Sequence, residues 1–304
     1  MDTQTKKRLI IFLTLAFGIS WATALVIYLT GGLENSPILS EETGITLAYV
    51  LLITTYMWGP ALAHILTRLF TREGWQGLNL KPDIKRNWQT WLIAWLSPAV
   101  LIALGTILYF VIFPTSYDSQ FEILRNQISL SGQDPDTFNI PQLIISQVLV
   151  AVLISPLFNA PATFGEEFGW RGYLLPRLQS LGTRQALLLS GLIWGIWHWP
   201  VIAMGYNYGF SYPAAPWLGM LAMVWATLGM GVLFGWLVLR AGNFWPAVIA
   251  HGALNGFGAI GLLFLKGEPN LILGPSPVGF ISAMPFIAIA LWILFAPQAR
   301  LTKS

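Results

Sequence analysis

Three short stretches hold most of the chemistry open to this 304-residue chain. The first is Glu166-Glu167-Phe168-Gly169-Trp170-Arg171-Gly172-Tyr173. On a helix, Glu167 and Arg171 lie four apart and share a face, so they can pair, while Glu166 points about 100° away. Two adjacent carboxylates with one arginine divide the labour: one anchored, the other free to take a proton from water. The second stretch is Trp194-Gly195-Ile196-Trp197-His198-Trp199-Pro200, an apolar, tryptophan-rich run with one histidine in it. The third is His251-Gly252-Ala253-Leu254-Asn255, whose His and Asn share a helical face and can both donate to a developing oxyanion. Each has a plainer reading: a juxtamembrane ion-pair network for the doublet, a satisfied core histidine for His198, and glue between helices for His251 and Asn255. His64, beside Gly59 and Pro60, reads as structural. With no cysteine, thiolate catalysis, disulfides and Cys-based metal sites are excluded.

The elements that must position these residues follow from composition. The chain is 55% hydrophobic and 10% charged, with a mean hydropathy of +0.64. Ordinary soluble domains carry roughly 25% charged residues, so this is an all-α, polytopic membrane helix bundle. Its scattered basic residues argue against nucleic acid. Eight stretches are long and apolar enough to cross a bilayer, which takes about 20 residues. They run over 9–30, 45–70, 90–113, 140–163, 184–204, 216–239, 245–265 and 278–297. The first follows Lys6, Lys7 and Arg8 and exceeds a signal-peptide core, so it is read as a retained span.

Eight spans with the N-terminus inside place fourteen basic residues on one face: Lys6, Lys7, Arg8, Arg68, Arg72, Lys81, Lys85, Arg86, Arg171, Arg177, Arg184, Arg240, Arg300 and Lys303. Only Arg125 and Lys266 fall on the other, which carries Glu34, Glu41, Glu42, Asp118, Glu122, Asp134, Asp136 and Glu268. Basic loops stay in the cytoplasm, so both termini are expected there. The loop 114–139 has the spacing of a short amphipathic segment lying at the interface. The chain divides into an N-terminal part, 1–139, with three spans, and a five-helix part, 140–304, that holds all three stretches.

Glu166-Glu167-x-x-x-Arg171, then an aromatic-x-x-x-His ending at His198, then His251-x-x-x-Asn255, resembles the three-motif pattern of the CPBP intramembrane protease family. That family includes the type II CAAX prenyl endopeptidases and Abi-like bacterial proteins. The resemblance covers roughly 143–265. One residue departs from the pattern: the second motif usually opens with Phe, and here it opens with Trp194.

The resemblance implies an intramembrane endopeptidase working in a polar cavity on membrane-associated or prenylated, CAAX-type substrates. Glu166 would act as base on a water positioned by His198; His251 and Asn255 would hold the oxyanion, and the Glu167–Arg171 pair would support the helix. No cofactor is favoured; the metal-dependent alternative has Zn²⁺ held by Glu166, His198 and His251, without a His-Glu-x-x-His motif. Membrane lipid and a peptide or prenylated protein are the expected partners, and a prokaryotic plasma membrane the expected location. Two other functions compete: a catalytically silent membrane immunity or binding protein, and a proton-coupled transporter, against which the lack of repeat symmetry argues.

Overall fold

The computed structural model describes residues 1–267 and 270–296. Glu268, Arg300, Lys303 and the last residue of the eighth expected span lie outside the described residues. Helices dominate, joined by one small antiparallel ribbon of β1 (Ile38–Ser40) and β2 (Ile45–Thr46). Among the described residues six helices are long and apolar enough to cross a membrane: α1 (Thr3–Leu29), α2 (Leu47–Phe70), α3 (Trp88–Ile112), then α7 (Thr183–Ala203), α8 (Trp217–Ala241) and α9 (Trp245–Phe264). Between α3 and α7 lie α4 (Glu122–Leu130), α5 (Ile140–Leu153) and α6 (Ala160–Gly169), and α10 (Met284–Phe295) ends the described chain. In its most apolar stretch α8 is 78% buried, against 28% for α3. The bundle is therefore built around α8, and α3 turns its apolar surface outward, as a lipid-facing helix must.

The expected fourth and eighth spans take forms that hydropathy does not show. Helix α5 has 14 residues and stops at Leu153. The chain then bends through the short turn Ser155–Phe158, around Pro156, and resumes as α6. A π-helical turn over Trp170–Leu174 follows, then the turn Leu175–Leu178. The fourth crossing thus runs well past 163, the end expected from hydropathy, and buries the glutamate doublet inside the bundle instead of leaving it at the inner surface. The surface-network reading of the doublet is corrected accordingly, and Arg171, expected on the cytoplasmic face, is 1% exposed. Arg68 is buried too.

In the expected eighth span only 284–295 is helical. The segment 270–283 is irregular, yet it packs against α8 and the α7–α8 connection: Trp225 Nε1–H donates to Phe280 O at 3.1 Å, and Tyr208 Oη–H to Val278 O at 2.8 Å. Non-helical backbone at membrane depth is tolerated where protein or a water-filled cavity surrounds it. The expected amphipathic segment of loop 114–139 is α4. Its Leu124 and Ile128 pack with Ile140 and Ile144 of α5 in a small satellite core, and Asp118 accepts from the backbone N–H of Gln120 and Glu122 ahead of it.

Two glycines set how closely α6 approaches α2. A Cβ on Gly165 would stand 2.7 Å from Met57 O, and one on Gly169 would meet Pro60 Cβ. Gly165-Glu-Glu-Phe-Gly169 is therefore a small-x-x-x-small contact of the kind that brings membrane helices together. Both glutamates lie within it, and close packing of α6 fixes their rotation. His64, on α2, adds a polar tie: Nδ1–H donates to Phe168 O at 2.9 Å, and Nε2 accepts from Arg68 Nε at 2.7 Å. The structural reading of His64 fits this bridge, with Arg68 at i+4 as a partner that the sequence reading did not use.

Candidate active site

Glu167 is fully buried, and its Oε1 serves two donors. Arg171 Nη1 donates at 2.9 Å, and His251 Nδ1 lies at 3.0 Å. The first contact is the i,i+4 pair expected from the spacing; both side chains are completely shielded from solvent. The second joins residues 84 positions apart, from α6 to α9. A carboxylate beside an arginine accepts hydrogen bonds, so Nδ1 of His251 carries the proton and Nε2 is left for another partner.

Glu166 faces elsewhere, as a 100° turn along the helix dictates. Its Oε2 accepts from Trp194 Nε1 at 2.7 Å, and the residue is 2% exposed. Trp194 therefore holds the neighbouring carboxylate on α6 besides forming an aromatic wall. Its ring also packs edge-on to His198 and His251, and the Arg171 guanidinium carbon sits 4.6 Å from its centroid. Phenylalanine at this position would keep the wall and lose the N–H. The departure from the motif thus supplies a hydrogen bond to one carboxylate of the doublet.

His198 ends α7's main helical run, and its Nδ1 lies 2.8 Å from Trp194 O. A carbonyl oxygen only accepts, so the proton is on Nδ1 and Nε2 is unengaged by that bond. Asn255 is exposed one turn beyond His251 on α9. A cavity of about 490 Å³ is lined by Trp194, His198, His251 and Asn255, together with Asn159 and Tyr206. Neither glutamate lines it; both stand behind this wall. Asn159 Nδ2 donates to Gly252 O at 3.4 Å, and Thr163 Oγ1 to Val248 O at 3.0 Å, so α6 and the turn before it are pinned to the His251 helix.

All six residues singled out by spacing thus belong to one neighbourhood: Glu167, Arg171 and His251 in one network, Glu166 and His198 joined through Trp194 in the next, and Asn255 on the cavity wall. The sequence reading missed Tyr206. Tyr206 lies in the α7–α8 connection, where no periodicity marks it. A metal would need three donors converging on one point. Among the described residues no group of three His, Asp or Glu side chains does so. This donor set does not fit a zinc ion.

Trp194→Phe should lower kcat about tenfold and move KM little, because it removes a charge-assisted hydrogen bond of about 1.5 kcal/mol or more while keeping the ring. Steady-state kinetics of the purified variant beside wild type checks this. A fall in kcat/KM caused by KM alone would mean that Trp194 only shapes the cavity.

Residues 141–257 match the family model described as type II CAAX prenyl endopeptidase, Rce1-like. A curated relative, "CAAX prenyl protease 2" of Methanococcus maripaludis, is 35% identical over 97 residues, which cover 31% of this chain and 35% of the relative. The similarity thus spans about a third of that relative's length. The matched segment begins at the start of α5 and ends at the end of α9's main helix, and it contains every residue of the site described above.

Proposed function

We propose, starting from an Rce1-like region that encloses the whole site, that this chain is an intramembrane endopeptidase hydrolysing peptide bonds of membrane-associated substrates. The observation that carries this reading is the unequal use of the doublet. Glu167 is tied through Oε1 to both Arg171 and His251, two fixed partners, whereas Glu166 is held by a single donor, Trp194, and keeps acceptor capacity for a water. In this mechanism water reaches Glu166 past His198, whose Nε2 accepts from it and fixes its direction. Glu166 takes the proton as the oxygen attacks the scissile carbonyl carbon. His251, acting as an imidazolium that keeps both its protons throughout, holds Glu167 through Nδ1–H and donates from Nε2–H to the oxyanion, and Asn255 donates beside it. Collapse of the tetrahedral intermediate breaks the C–N bond, and the proton held by Glu166 passes to the departing amine. Arg171 fixes Glu167 Oε1 in place and so keeps His251 aimed.

The name of the archaeal relative supports a narrower reading, in which the substrate is a prenylated C-terminal tail. The transporter reading gains nothing from this arrangement, because His251 and Glu167 are locked to each other and not strung along a path. The test is cleavage of a peptide library by the chain reconstituted in liposomes, with fragments identified by mass. Wild type should cut internal bonds and His251→Ala should not; an inactive wild type would favour the silent binding module. Exhaustive removal of divalent ions should leave most of the activity. A tightly held zinc whose removal abolishes cleavage, and whose return restores it, would replace Glu166 base chemistry with metal chemistry.

A further inference from the structure

Helix α7 breaks where it delivers His198. Its main run ends at Trp197, and Pro200 has no N–H to give Ile196 O. The N–H of Val201, four residues beyond Trp197, turns to His198 O at 3.1 Å. Trp197 O is thereby released from the backbone ladder. An unmet carbonyl is costly at membrane depth, and two side chains take this one up. Tyr56 Oη–H donates to it at 2.6 Å and Trp21 Nε1–H at 3.1 Å, one donor for each lone pair.

The two donors come from α2 and α1, outside the matched segment 141–257. Tyr56 closes a π-helical turn, Leu52–Tyr56, of a kind that recurs at functional sites. It is buried, its ring lies 4.4 Å from that of Trp197, and the Trp197 ring stands edge-on to His198 at 4.8 Å. Ser20 Oγ–H donates to Tyr56 O at 2.9 Å, so α1 braces the backbone of the tyrosine as well. Neither Tyr56 nor Trp21 lines the catalytic cavity. They reach the chemistry only through the residue next to the carbonyl they hold. We propose that Tyr56 and Trp21 are positioning residues for His198. The imidazole is held by Trp194 O at 2.8 Å from Nδ1, and the backbone beside it by this clamp. Together they set where Nε2 meets the attacking water. The first two helices are then part of the working site and more than a scaffold around it.

This proposal rests on the endopeptidase reading for what His198 does and not for how His198 is held, and the two are tested separately. Tyr56→Phe keeps the ring and removes one donor; Trp21→Phe removes the other and serves alone if Tyr56→Phe does not fold. A small misplacement of a working group is enough to slow the chemical step. Each variant should lower kcat by about tenfold and leave KM near wild type, and the double variant should lower kcat by about 10²-fold. The second arm needs no turnover. The chain has three histidines, so a spectrum of protein labelled with ring-¹⁵N histidine resolves each one, with His198 assigned from its loss in His198→Gln. Both variants should move the His198 signals and leave those of His64 and His251 in place. Unchanged kcat in a folded variant overturns the proposal, as does a fall in kcat with the His198 signals unmoved. A shift of all three histidines together also overturns it, because that is general loosening of the bundle. The selective His198 shift in a chain whose wild type cleaves nothing refutes the endopeptidase reading and leaves the clamp on His198 intact.

Discussion

Glu166→Gln is expected to abolish turnover while the protein folds and binds substrate as wild type does. The amide keeps the shape of the side chain and can still accept from Trp194 Nε1, now 2.7 Å from the carboxylate, but it cannot take a proton from water. Asn255→Ala is the comparison. Loss of one oxyanion donor costs about 10²–10³ in kcat, so residual activity survives in Asn255→Ala and not in Glu166→Gln. Glu167→Gln should fail by another route, because a neutral side chain no longer completes the pair with Arg171 or orients His251 as a carboxylate does. Measured kcat and KM for the three variants, with binding of an uncleaved peptide, separate these cases. If Glu166→Gln turns over normally while Glu167→Gln is dead, the roles within the doublet are reversed.

Arg171→Ala unfolds at a lower temperature than wild type as well as losing activity. Arg171 and Glu167 are both fully shielded, and removing one partner of a buried pair costs about 3–5 kcal/mol. A loss of that size lowers the melting midpoint by on the order of 10 °C. Two further contacts go with it, because the guanidinium lies over the rings of Trp194 and Phe234, at 4.6 and 5.5 Å from their centroids. Lysine cannot restore the planar stacking, so Arg171→Lys should recover only part of the stability. A double change of Glu167→Gln with Arg171→Met removes both charges and should regain much of the midpoint without regaining activity. Detergent-solubilised thermal melts beside peptide cleavage check both statements. A midpoint unchanged in Arg171→Ala would mean that the pair contributes nothing net.

What the sequence shows of this site is whatever lies within one helical turn. Glu167 and Arg171 are four apart, and the expected pair is the observed one. The divergence of Glu166 from Glu167 is a matter of helix geometry and is equally legible. The contacts between helices are not. Trp194 Nε1 to Glu166 joins positions 28 apart, and His251 to Glu167 positions 84 apart; only packing brings them together. Trp194 stood out as a departure from a motif, yet nothing in one sequence shows that its N–H points at a carboxylate. Hydropathy was similarly blind to backbone form. It placed the end of the fourth span at 163, whereas Pro156 bends the helix and the chain stays helical to Leu178. It also counted 278–283 as the start of a span, although these residues are apolar and not helical. A fourth span ending at 163 puts Arg171 in a cytoplasmic loop, and its burial becomes visible only with the helix that carries it.

The account rests most on hydrolysis of an internal peptide bond by this chain alone. The direct measurement is mass analysis of the products made by purified, reconstituted wild type, in metal-free buffer prepared with water carrying a heavy oxygen isotope. The account predicts two complementary fragments whose masses sum to the substrate plus one water, with one heavy oxygen in the new carboxyl group and no such fragments from Glu166→Gln. An intact substrate after prolonged incubation with folded wild type, or equal cleavage by Glu166→Gln, would contradict it.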